Sequence, residues 1–165
     1  MRLLALPLLF ALLVVSAQAQ QDLVVGGVSL SVPESWNGAV DSDESQAPRR
    51  ASYTFSNQNP ASDLIGAQLI VYRVTGLNAI DRNEWWRGRL PYGYAGARPV
   101  AAISSHEMVF DNARGYRTEG NSRHGTIYFT QNGPAYYAIH VSAPADSFHS
   151  QLPALLDVVR TVRFL

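Results

Sequence analysis

The chain has 165 residues, of which thirteen are basic, thirteen acidic and none cysteine. Every basic residue is arginine, which excludes lysine chemistry such as a Schiff base, a phosphate-loop lysine or a Ser-x-x-Lys pair. Disulfides, thiolate nucleophiles and thiolate metal sites are excluded as well, and a formal net charge of zero argues against nucleic-acid binding, which needs a basic footprint.

Met1–Ala19 carries one positive charge, Arg2, then an apolar run from Leu3 to Val15 and the small-x-small sequence Ala17-Gln18-Ala19. A run of that length is short for a bilayer, and a cleavage pattern follows it, so residues 1–19 are predicted to be a removed signal peptide. The expected product starts at Gln20 and is a soluble periplasmic or extracellular protein without a membrane span. With no cysteine after the apolar run, no lipid anchor is expected. Residues 20–165 suffice for a single domain with its own core.

Gly27 to Pro33 alternates Val28, Leu30 and Val32 with Ser29 and Ser31, which predicts a half-buried strand ended by Pro33. Gly38 to Arg50, polar and acidic, reads as a loop. Ala51, Tyr53 and Phe55 alternate with Ser52 and Thr54 in a second strand. Asn57 to Asp63 is a turn cluster around Asn59-Pro60. Leu64 to Val74, apolar on both faces, reads as a central strand.

Asn78 is placed to cap a helix with Asp81 in its first turn. At 100° per residue Ala79, Asn83, Trp86 and Leu90 share a stripe, with Ile80 beside it, so Trp86 is expected inside and Trp85 outside. Pro91 is the expected stop, and Tyr92 to Pro99 a Gly- and Tyr-rich loop. Val100 to Phe110 and Ala113 to Gly120 read as strands broken at Asp111-Asn112.

Arg123 to Gln131 and Ala135 to Val141 form a hairpin. An Asn132-Gly133 turn would put Pro134 where a flanking N–H must donate, so a three-residue loop, Asn132 to Pro134, is expected. It pairs Gln131 with Ala135, Phe129 with Tyr137 and Thr126 with His140. Leu152, Leu155, Leu156 and Val159 form the stripe of a last helix, with Pro153 in its first turn and Ala145 to Ser150 a separate turn carrying Phe148. Val162 to Leu165 reads as a short strand. The expected core is Leu30, Val32, Phe55, Ile70, Trp86, Ile127, Phe129, Ile139, Leu155 and Val159.

The order of strand, Pro33-Glu34-Ser35-Trp36, strands, helix, meander, helix and terminal Arg163-Phe164 resembles the PsbP-like family, its bacterial envelope members in particular. The carrying segments are Val28 to Trp36 and Gly125 to Phe164, with the aromatic pairs Tyr128-Phe129 and Tyr136-Tyr137. The resemblance implies an α+β fold, an antiparallel β-sheet flanked by helices in an α/β/α sandwich. It also implies a family that is mostly non-enzymatic, and it carries over no ligand site, because no reactive-residue motif is part of it.

The residues offer little reactive chemistry. Asp41-Ser42-Asp43-Glu44-Ser45 starts like a calcium loop, but Gln46 stands at the glycine position and Ser52 at the final glutamate, so it reads as a solvated acidic loop. His106-Glu107 lacks a second histidine four residues on. His140 with Glu119 is the one candidate acid/base pair, set against a core-edge imidazole bonded to Thr126. No cofactor and no metal site is expected. Trp85, Arg82, Arg89, Tyr92, Tyr94 and Arg98 cluster in sequence, and exposed aromatics and arginines are enriched at interface centres. The leading expectation is therefore an exported, non-enzymatic binding or assembly protein whose partner is an unidentified envelope protein or small ligand. The alternatives are a periplasmic hydrolase using the His140/Glu119 pair and a small-ligand carrier with an aromatic-lined cavity between sheet and helix.

Overall fold

The computed structural model describes residues 19–43, 48–89 and 98–165. Most of the expected leader lies outside them, and so do Tyr92 and Tyr94. The chain opens with a hairpin, β1 (Gln20–Val25) and β2 (Val28–Pro33), joined through Gly26 and Gly27, both at positive φ. β10 (Arg163–Phe164) pairs with the far side of β2, so the two ends of the domain share one three-stranded sheet. Val28, Leu30 and Val32 are buried, as their alternation predicts.

The main sheet has seven antiparallel strands: β3 (Trp36–Asp43), β4 (Arg49–Asn57), β5 (Gln68–Thr75), β6 (Arg98–Ala102), β7 (Arg114–Glu119), β8 (Arg123–Asn132) and β9 (Ala135–Pro144). Their order is β3-β4-β5-β9-β8-β7-β6. The helix α1 (Ala79–Trp86) carries the chain from β5 to the far edge, and the β6–β9 meander returns until β9 closes against β5.

Alternation along β8 and β9 divides the core in two. Tyr128, Tyr137, Ile139 and Val141 face the helix α2 (Phe148–Val159) and the small sheet. Ile127, Phe129, Tyr136 and Ala138 face α1. Helix, sheet, then helix plus small sheet make the three layers of an α+β fold. Every residue expected in the core is buried except Trp86.

Several expected boundaries move, each for a local reason. Trp36–Asp43 is a strand rather than part of a loop, because an edge strand is held by its backbone ladder to β4 and needs no apolar alternation. Residues 64–67 form a turn before the central strand, closed at Gly66 with φ +70 and by buried Asn57, whose Nδ2 donates to Leu64 O at 3.0 Å. The strand expected over Val100 to Phe110 ends at Ala102, and His106-Glu107 lies in a 3₁₀ turn (Ser105–Glu107). Pro153 sits inside α2 rather than in its first turn, because the helix already begins at Phe148, which is buried against the core.

The hairpin register also differs. The loop is Gly133-Pro134, pairing Asn132 with Ala135, Phe129 with Ala138 and Ile127 with His140. Gly133 has φ +56 and Pro134 a ring-fixed negative φ, a combination that suits a type II′ turn. Proline at the second turn position takes no ladder bond, so a third loop residue is unnecessary. The one-residue shift moves His140 to the opposite face from Thr126.

Candidate functional site

α1 is two turns long and fixed at both ends. Asn78 Oδ1 accepts from Asp81 N at 2.9 Å, and Asn78 Nδ2 donates to Asp81 Oδ2 at 3.0 Å. At the other end Gly88, φ +65, donates to Trp85 O at 2.8 Å and Arg89 N donates to Glu84 O at 2.9 Å. Those two bonds are a Schellman cap, so the helix stops at Gly88 and not at Pro91.

The tryptophans are therefore the reverse of the expectation. Trp85 is fully buried, 6.3 Å from Tyr72, 5.3 Å from Phe129 and 6.2 Å from Tyr136, ring centroid to centroid. Trp86 is half-buried, edge-on to Tyr136 at 6.5 Å, and its carbonyl accepts from Arg114 at 3.0 Å and from the Tyr116 hydroxyl at 3.3 Å. The stripe that favoured Trp86 needed Leu90 in the helix. With the cap at Gly88 only two turns remain, and the aromatic wall of the sheet decides which indole enters. Ala79, Ile80 and Asn83 face outward, Ile80 at 75 % exposure.

Arg82, Arg87 and Arg89 are exposed, with Arg87 3.5 Å from Glu84. Arg98 opens β6. Of the expected cluster, Arg82 and Arg89 are exposed, Arg82 within α1 and Arg89 just beyond its cap. Trp85 belongs to the packing beneath the helix and cannot offer its indole to a partner. That indole packs between α1 and the aromatic wall of the sheet.

His140 and Glu119 do not form a site. Glu119 pairs with His124 and is exposed, whereas His140 pairs with Ile127 on the opposite sheet face and is buried. The His140 imidazole has Nε2 2.9 Å from Thr118 Oγ1 and no hydrogen-bond partner at Nδ1. Gly125 admits it: a β-carbon there would lie 2.5 Å from His140 Nε2 and 2.6 Å from Val141 O. Burial, with the nearby Arg123 guanidinium adding a smaller effect, pushes His140 down to about 4. Arg123 is held by Gly66 O at 2.8 Å and Ser142 O at 3.1 Å. The imidazole is thus neutral at physiological pH.

A cluster on the α2 side has no counterpart in the sequence reading. Arg117 pairs with Glu107, donates to Thr126 Oγ1 at 2.9 Å and lies 5.3 Å over the Phe148 ring. The Tyr128 hydroxyl donates to Glu107 O at 2.8 Å, and burial, with Glu107 next, raises that phenol. Residues from a 3₁₀ turn, two strands and a helix meet there, so no linear spacing marks it. Its groups satisfy one another, which suits a clamp between layers. Among the described residues no three His, Asp or Glu side chains are placed to hold a metal ion. No described helix is long and apolar enough to cross a membrane.

Neither the family models nor the curated proteins contain a match to this chain. Solved structures do resemble it. The solution structure of cyanobacterial PsbP (CyanoP) from Synechocystis sp. PCC 6803 has a TM-score of 0.56 at 14% identity, covering 92% of this chain and 95% of that one. A protein of Bacteroides thetaiotaomicron VPI-5482 gives 0.52 at 12% identity, with 90% of this chain spanning 49% of the other. At these identities the likeness is one of fold, and that fold is PsbP-like.

Proposed function

We propose that the chain is an exported binding or assembly protein that works through the outer surface of α1 rather than through a reactive centre. One observation carries this reading. Trp85 anchors a two-turn helix into an aromatic wall, and Arg82, Arg89 and Ile80 are left exposed on and just beyond that fixed helix. Arginine is among the residues enriched at interface centres. Guanidinium groups pair best with carboxylates and other planar anions, so the partner presents acidic groups to this face. Arg98, Tyr92 and Tyr94 belong to the same proposed surface through their position in the chain; Trp85 supports it from below. The non-enzymatic character rests on the fold likeness and on the separation of His140 from Glu119.

Export rests on the leader sequence. N-terminal sequencing of the secreted protein should begin at Gln20; recovery of intact Met1 outside the inner membrane would remove the assigned compartment. For the surface itself, Arg82→Glu with Arg89→Glu should abolish retention of an envelope partner and leave the unfolding midpoint unchanged, because both side chains are exposed. Undiminished retention by the double variant would refute the assignment.

A further inference from the structure

We infer that β3 is the contact edge of a two-fold dimer, in which a second copy of this chain continues the seven-stranded sheet. The two edges of that sheet are treated differently. β6 has five residues, contains Pro99 and breaks register between Pro99 and Ala101, devices that blunt an edge against pairing. β3 has eight residues in unbroken register with β4, from Trp36–Asn57 to Asp43–Arg50, and contains no proline, lysine or arginine. Residues 37–42 are all exposed, and Val40, at 65 %, is a large apolar side chain at the middle of the edge. Such a strand presents a row of backbone donors and acceptors to an added strand.

Charge placement selects a second copy in antiparallel orientation. The strand is neutral from Trp36 to Val40 and acidic only beyond it, at Asp41 and Asp43. Parallel, in-register addition would set Asp41 beside its own equivalent. Antiparallel pairing centred on Val40 puts Asp41 opposite the partner's Ala39 and Val40 opposite the partner's Val40, so the exposed apolar side chains cover each other and no like charges oppose. The contact is isologous and closes after two copies, as a two-fold interface must.

The absence of cysteine from the chain makes a direct test available. Val40→Cys, oxidised with glutathione disulfide, should form a homodimer disulfide, since directly opposed residues of an antiparallel pair lie within bridging reach. Val100→Cys, exposed at the register break of the β6 edge, should not. Sedimentation equilibrium of the unmodified protein should show a monomer–dimer equilibrium, and Val40→Lys should weaken it at least about tenfold with an unchanged unfolding midpoint. A protein that sediments as monomer at every concentration, or equal bridging of the two cysteine variants, would overturn the dimer. Disulfides formed in cells between Val40→Cys and other proteins only would assign the edge to a different occupant and overturn it as well.

Discussion

Replacing Trp85 by alanine should destabilise the domain by about 3–5 kcal/mol, the range for deletion of a fully buried aromatic side chain. The indole contacts Tyr72, Phe129 and Tyr136 together, and neighbouring rings in a seven-stranded sheet cannot collapse to fill the space it would leave. A loss of that size is a large part of the stability of an ordinary domain. Trp86→Ala should cost only about 1 kcal/mol, since that ring is half-buried and edge-on to Tyr136. Denaturant unfolding of the two variants side by side is the measurement. Equal losses, or a greater loss for Trp86→Ala, would mean that α1 docks through its other face, and the outward orientation of Arg82 would be lost with it.

Stability should fall by about 3 kcal/mol as the pH drops from 6.5 to 4, through His140 alone. In the folded protein its imidazole is held neutral down to about 4 by burial and, to a smaller degree, by Arg123, whereas in the unfolded chain it protonates near 6.5. Between those values the unfolded state binds the extra proton, so the stability of unfolding rises with pH. The contribution is complete above 6.5, declines through the window and is gone below 4. Carboxylates add their own titration at the acidic end, so the slope from pH 5 to 6.5 is the diagnostic part. Denaturant midpoints measured across that interval should rise with pH in the wild type and flatten in His140→Gln. An unchanged slope in that variant would place the buried proton-binding group elsewhere.

Much of the architecture was legible because it is written in alternation. Val28, Leu30 and Val32, Tyr53 and Phe55, and the aromatic pairs of the long hairpin fix strands whose faces differ in polarity, and Asn78 with Asp81 marks a helix start. What misled were positions where backbone, not side-chain pattern, decides. β3 is held by hydrogen bonds at an exposed edge, so its small and acidic residues look like a loop. Gly88 ends α1 by adopting positive φ, and without that cap the helical stripe selects the wrong tryptophan. Pro134 fits the second position of a two-residue turn, and overlooking this slipped the register by one. That slip was the source of the His140–Thr126 pairing and left His140 and Glu119 on a common face. Arg82 and Arg89 are exposed, while the burial of Trp85 depends on Tyr72 and Tyr136, which lie on other elements of the fold.

The proposed binding face is tested most directly in the cell. A photo-crosslinking side chain at Asn83, exposed on α1 beside Arg82, reports contacts of this face without removing either arginine. The same probe at Ala154, exposed on α2 across the sheet, reports the opposite face. Irradiation in the native host should give a discrete adduct from position 83 that disappears when Arg82→Glu and Arg89→Glu are added, and none from position 154. No adduct at 83, or an adduct there that survives both charge reversals, would contradict the assignment of function to the outer surface of α1.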